Sequence, residues 1–234
     1  MSDRTTLNSD QETVVPLGMD TGGIRRRLRT VARIAAFIGG PLFLLGTILH
    51  PARDGWGMAK VGQLYGVTHD IQAAGLLLQV VSLASMLALG MRVQTRRDLS
   101  GWYAALVGTL LWFALIVYDG SHNPVRAHYE PSLVHTSGDV DAGAAIIVFP
   151  ALLIFPFGYL LLALMLRRRG MGRVAVLLSV GSFVYTLGGL FIFTSGPRFP
   201  LIQIFEVAGA LLYALGYILL GRESGAMKPA TTRR

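Results

Sequence analysis

What most constrains this chain is a repeated pattern of apolar runs, each about the length of a bilayer crossing and each closed by arginines, by His-Pro or by Gly and Pro. At 1.5 Å per residue, about twenty residues of α-helix span the roughly 30 Å hydrocarbon core of a membrane. Six such runs can be drawn, at about 34–49, 67–91, 101–118, 142–166, 171–193 and 200–220. In lipid every backbone N–H and C=O must find its partner within the segment, so the expected fold is all-α, a polytopic bundle of six transmembrane helices. An ordinary soluble domain is excluded by 53% hydrophobic against 15% charged residues and a mean hydropathy of +0.54. The absence of cysteine removes disulfides, iron–sulfur clusters and thiolate metal sites.

The formal charge of +8 invites a nucleic-acid reading until the basic residues are placed. Seventeen of the 21 Lys and Arg fall in the N-terminal segment, the second-to-third and fourth-to-fifth connections and the C-terminal segment. Only Arg53, Lys60, Arg126 and Arg198 fall on the other side. That alternation follows the positive-inside rule and puts both termini in the cytoplasm, with no role for nucleic acid. The expected organisation is a disordered cytoplasmic tail over 1–24, a six-helix domain over 25–221 and a basic cytoplasmic tail over 222–234. Basic residues before the first run resemble a signal peptide, but the run starts late and lacks a small-x-small cleavage pattern, so it reads as a retained helix.

With this topology all five histidines lie on the outer side. His50 ends the first run and His69 opens the second. The stretch from Tyr118 to Asp141, expected as an outer loop, holds His122, His128 and His135 with Asp119, Glu130 and Asp139. Helical spacing puts Tyr65, His69, Gln72 and Gln79 on one arc of the second helix, and Gln203, Glu206 and Tyr213 on one arc of the sixth. These stripes should face one another, serving as interhelical hydrogen bonds or lining a polar cavity. Gln72 and Gly75 are echoed by Glu206 and Gly209, a faint sign of repeated helical hairpins.

Three classes of function follow. His50, His69 and His122, with a carboxylate, could bind a divalent metal or a haem. Asp119 is placed to orient His122 if the third helix continues that far. Alternatively Glu206, Asp119 or Asp70 could run acid–base chemistry on a lipid or isoprenoid substrate, with Trp56, Trp112, Phe113 and Tyr118 as an apolar wall. Glu206, about two turns inside an apolar helix, needs a partner such as Arg198 or a cavity. The third class is a non-enzymatic carrier or complex subunit, for which Gly39-Gly40-Pro41, Pro150, Pro156 and Gly188-Gly189 are candidate hinges. No phosphate loop, nucleophile elbow, zincin helix or dinucleotide fingerprint is present, which argues against ATP-driven transport by this chain alone. The expected partners are therefore membrane lipids and a lipid-like small molecule.

The Leu49-His50-Pro51 ending of the first run, His69 at the start of the second and the six-crossing plan resemble a loose group of bacterial integral membrane proteins of unknown function. That resemblance implies a bacterial cytoplasmic (inner) membrane location and no particular reaction. Two lysines against nineteen arginines would also suit a high-GC bacterial genome.

Overall fold

The computed structural model describes residues 21–91, 93, 95–134 and 142–226. Most of the expected N-terminal tail, His135, Asp139, Asp141 and residues 227–234 lie outside the described residues. The described chain forms α1 (Thr21–Ile48), α2 (Gly55–Val61), α3 (Gln63–Ala88), α4 (Arg96–Tyr129), α5 (Ala142–Arg168), α6 (Gly172–Ser195) and α7 (Leu201–Ala226). A 3-10 turn, Pro131–Leu133, follows α4, and no strand occurs among the described residues. All but α2 are long and apolar enough to cross a membrane. The molecule is a six-span, all-helical membrane bundle.

The six long helices form a closed ring: each packs on its neighbour in the chain, and α7 returns to pack on α1. Facing inward are Phe43 of α1, Trp112 of α4, Phe155 and Tyr159 of α5, Tyr185 of α6, and Tyr213 and Tyr217 of α7. Their rings meet at centroid separations such as 4.8 Å for Phe43–Tyr185 and 5.0 Å for Tyr159–Tyr213. This aromatic plug fills the middle of the ring. Thr109, Tyr159 and Tyr217 satisfy one another's hydroxyls there, with O···O distances of 2.8 and 2.5 Å. Outward-facing leucine, isoleucine, valine and phenylalanine, among them Leu153, Phe157, Val176 and Ile204, stay exposed because lipid is their solvent.

Glycine lets the antiparallel neighbours approach this closely. A Cβ added at Gly75 would lie 2.5 Å from Phe43 N of α1, and one added at Gly181 would lie 2.5 Å from Tyr213 N of α7. Both contacts are to backbone, which cannot move aside. Gly39 and Gly40 meet Gly75 and Ala214 in the same way, so these positions are packing surfaces and α1 runs through Pro41 without a break.

Several boundaries differ from the sequence expectation, three of them with consequences for the site or its topology. α1 starts at Thr21, well before the apolar run expected at about 34–49, so Arg25–Arg29 is helical. α3 starts at Gln63, and the connection before it contains a helix of its own, α2, whose N-cap Asp54 accepts from Gly57 N–H at 2.5 Å. Most consequentially, α4 runs on through Gly120 and Pro124 to Tyr129, where a loop was expected. At 34 residues it is about 51 Å long, well beyond the hydrocarbon core. Tertiary packing explains the extension: Ala127 joins Met58, Tyr65 and Val134 in a small buried cluster that clamps it against α2 and α3. At the opposite, arginine-rich end, Asp98 closes a capping box with Thr95 and receives Arg169, tying the start of α4 to the end of α5.

Candidate functional site

At the histidine end, above the aromatic plug, the ring encloses a cavity of about 120 Å³. One side is polar and comes from the end of α1, the following connection, α3, α4 and α7. His50, Arg53, His69, Gln72, Asp119 and Glu206 supply it. The other side is apolar and comes from α4, α5 and α6.

Two imidazoles and one carboxylate converge in the polar half. His50 leaves the last turn of α1, and its Nδ1 lies 2.8 Å from Pro51 O. His69 is buried on α3, and its Nδ1 lies 2.8 Å from Tyr65 O, one turn earlier. A carbonyl only accepts, so each Nδ1 carries a proton, and each ring, when neutral, presents an Nε2 lone pair. Those two Nε2 atoms face each other at 3.3 Å, and Asp119 Oδ2 lies 3.0 Å from that of His69. Asp119 is itself held: the Tyr65 hydroxyl donates to its two oxygens at 3.2 and 3.1 Å, and Asn123 Nδ2 donates to Oδ1. Burial, reinforced by Arg53 and His69, pushes His50 down to about 3, so its ring is neutral at ordinary pH.

Three acceptors cannot face one another without a cation or a shared proton between them. Their ligand atoms all lie within 4.8 Å of one another, and they form the metal-capable His/Asp group found among the described residues. A tetrahedral ion with bonds of about 2.0–2.1 Å spaces its ligand atoms roughly 3.3 Å apart, and an octahedral one roughly 3.0 Å apart. The His50–His69 and His69–Asp119 separations, 3.3 and 3.0 Å, are of this size, and the three ligand atoms as a set lie within 4.8 Å. A haem fits poorly: iron between two imidazoles needs their nitrogens about 4 Å apart with a flat macrocycle between, and here the rings touch edge to face.

Beside the cluster Glu206 forms a buried ion pair with Arg53, each side chain 8% exposed. The sequence suggested Arg198 as partner for Glu206; Arg198 instead pairs with Asp54 at the surface. Arg53 had no assigned role because it sits in an irregular connection with no helical register to place it. Gly188 makes room for the carboxylate, since a Cβ there would come within 2.5 Å of Glu206 Cγ. The descending polar stripes divide between the two readings. Gln79 Nε2 donates to Gly39 O at 3.2 Å, Ser82 to Ala32 O at 2.9 Å and Gln203 to Thr47 O at 3.0 Å, all interhelical ties. Gln72 does both: its Nε2 donates to Thr47 Oγ1 at 3.0 Å while its buried Oε1 is unpartnered at the cavity wall.

The other candidates lie apart. His122 sits on α4 stacked on Tyr118, its ring 4.8 Å from the tyrosine ring and away from the His50–His69 pair. Asp70 is exposed and does not line the cavity, and His128 is exposed near the end of α4. Of the expected aromatic wall, Trp112 and Tyr118 line the cavity, Phe113 packs on the core, and Trp56 is exposed on α2.

Fold and site together define a multi-pass membrane protein with a partly buried His/Asp cluster at one end of a six-helix ring. No protein-family model, curated protein or solved structure matches the chain.

Proposed function

We propose that the protein is a membrane-embedded metalloprotein in which His50, His69 and Asp119 hold a divalent first-row transition ion at the head of an amphipathic cavity. The observation that carries this reading is the convergence of two imidazole Nε2 atoms and a carboxylate oxygen, with both Nδ1 atoms and the carboxylate already held by hydrogen bonds to groups outside the cluster. Two histidines and one carboxylate with remaining positions open to a cavity is a ligand set of the catalytic kind, suited to zinc or non-haem iron. Such an ion would activate water or polarise a bound oxygen of a lipid-like substrate. The pairing of Tyr65, Asn123 and the two carbonyls with the ligands would supply the outer support that orients a metal's ligands. The arginine distribution supports an outward-facing site, in what we take to be a bacterial cytoplasmic membrane.

The test is metal content of the purified protein, with Co²⁺ substitution read by its visible spectrum. One equivalent per chain, lost in His50→Ala, His69→Ala and Asp119→Asn but retained in His122→Ala and Asp70→Asn, is the expected result. A metal-free protein whose Co²⁺ uptake is indifferent to all five changes refutes the assignment. The cluster would then be a shared-proton network between His69 and Asp119.

A further inference from the structure

The half of the cavity opposite the metal ligands bears on what binds there. Ala144, Val148 and Leu152 recur every four residues down α5 and line it, and Gly189, Ile192 and Phe193 face it from α6. No charged side chain interrupts this wall, and it lies between two neighbouring helices whose outer surfaces meet lipid. The polar half has the opposite character. Arg53 and Arg126 offset Glu206 and Asp119 in formal charge, and His50 and His69, each with Nδ1 against a backbone carbonyl, would coordinate an ion through Nε2 as neutral ligands. A divalent ion therefore leaves two positive charges uncompensated at the head of an apolar arm. Gln72 Oε1 adds an unpartnered acceptor beside them, able to accept a hydrogen bond from a ligand hydroxyl.

We propose that the cavity takes a single-chain anionic amphiphile, its phosphate or carboxylate on the metal side between Arg53 and Arg126 and its alkyl chain along the α5–α6 wall, with Gly189 setting the room for that chain. This rests on the metal reading above. Gly189 is the wall position that matters because a Cβ built there meets Leu152 Cδ2 and Trp112 Cη2 only at 3.8 Å, an ordinary contact. A methyl is accommodated, and a larger side chain must occupy the arm itself. Gly188, next to it, has no such freedom because its contact is Glu206.

The experiment uses the full chain in discs of neutral phosphatidylcholine, loaded with Co²⁺, and reads the cobalt spectrum on titration with dodecyl phosphate, dodecanoate, methyl phosphate and dodecyltrimethylammonium. Wild type should bind dodecyl phosphate or dodecanoate at least about tenfold more tightly than methyl phosphate, from burial of several methylenes, and should ignore the ammonium amphiphile. Whichever anion binds more tightly identifies the head group as phosphate or carboxylate. In Gly189→Leu the chain advantage should shrink to about threefold or less, with Co²⁺ stoichiometry and methyl phosphate affinity unchanged, which shows the variant is folded; Gly189→Ala should behave as wild type. Co²⁺ uptake without a chain advantage, or a chain advantage untouched by Gly189→Leu, overturns this proposal alone. A cationic amphiphile binding as well as the anionic ones overturns the charge argument. Failure of wild type to take up Co²⁺ overturns the metal reading and this one with it.

Discussion

Replacing Gly120 by alanine would test the site through a residue that touches no ligand atom of the proposed metal. Gly120 follows Asp119 on α4 and packs against the side chain of His69 on α3. A Cβ there would lie 2.8 Å from His69 Cγ and closer still to its Cβ. Carbon atoms prefer about 3.5–4.0 Å, so the added methyl must push the imidazole or separate α3 from α4 by something near 1 Å. Metal–ligand distances tolerate about 0.2 Å, and His69 and Asp119 sit on the two helices being pried apart, 3.0 Å from contact to contact. Disturbing the support of a metal ligand typically costs about 10–100-fold in affinity, which is about 1.4–2.8 kcal/mol. We expect Gly120→Ala to weaken Zn²⁺ binding by that factor in competition with a chromophoric chelator. Gly172→Ala, where an added Cβ meets nothing within 4 Å, is the matched control. An affinity for Gly120→Ala within about threefold of wild type, a difference under about 0.7 kcal/mol, would refute the claim that this contact positions His69.

Two further outcomes follow from the same geometry. Glu206→Ala strands a buried arginine and should lower stability in detergent by about 3–5 kcal/mol, whereas Arg53→Met/Glu206→Leu, which removes both charges, should recover most of that loss; His128→Ala, on an exposed residue, should change little, and equal melting midpoints for all three would remove the ion pair from the account. The chain has no cysteine, so single cysteines report sidedness directly: Tyr129→Cys, 80% exposed at the histidine end, should react with an impermeant maleimide from outside the cell, and Glu223→Cys only after permeabilisation. The reverse pattern would invert the topology.

How much of the site was legible depended on whether a residue sat in a regular register. Tyr65, His69 and Gln72 share an arc of α3 that helical spacing alone identifies, and His69 and Gln72 do line the cavity. Glu206 stood out because a carboxylate so deep in an apolar helix demands a partner. The partner itself did not, since Arg53 lies in an irregular connection and is 153 positions away. His122 is grouped by the sequence with His50 and His69 as a ligand. It is displaced because α4 continues as a helix, and the hundred-degree step per residue turns Asp119 toward His69 while His122 stacks on Tyr118.

The continuation of α4 is the instructive miss. Gly120, Pro124 and a run of polar residues are local signals for a loop. They were outweighed by burial of Ala127 with Met58 and Tyr65, contacts to segments more than sixty residues earlier that no local window contains.

Hydropathy and arginine placement are properties of single segments and connections, evaluated against bilayer and water one at a time. For that reason the sequence by itself determined the all-helical class, the six crossings and the gathering of the described histidines at one end. Which helix touches which is a property of ring closure: α7 packing on α1 brings Glu206 to Arg53, and α1 and α4 flanking α3 bring His50 and Asp119 to His69. Backbone contacts at Gly75, Gly120 and Gly181 set those separations to within an ångström. Convergence of ligand atoms at 3.0 and 3.3 Å depends on such separations, and only the tertiary structure decides them.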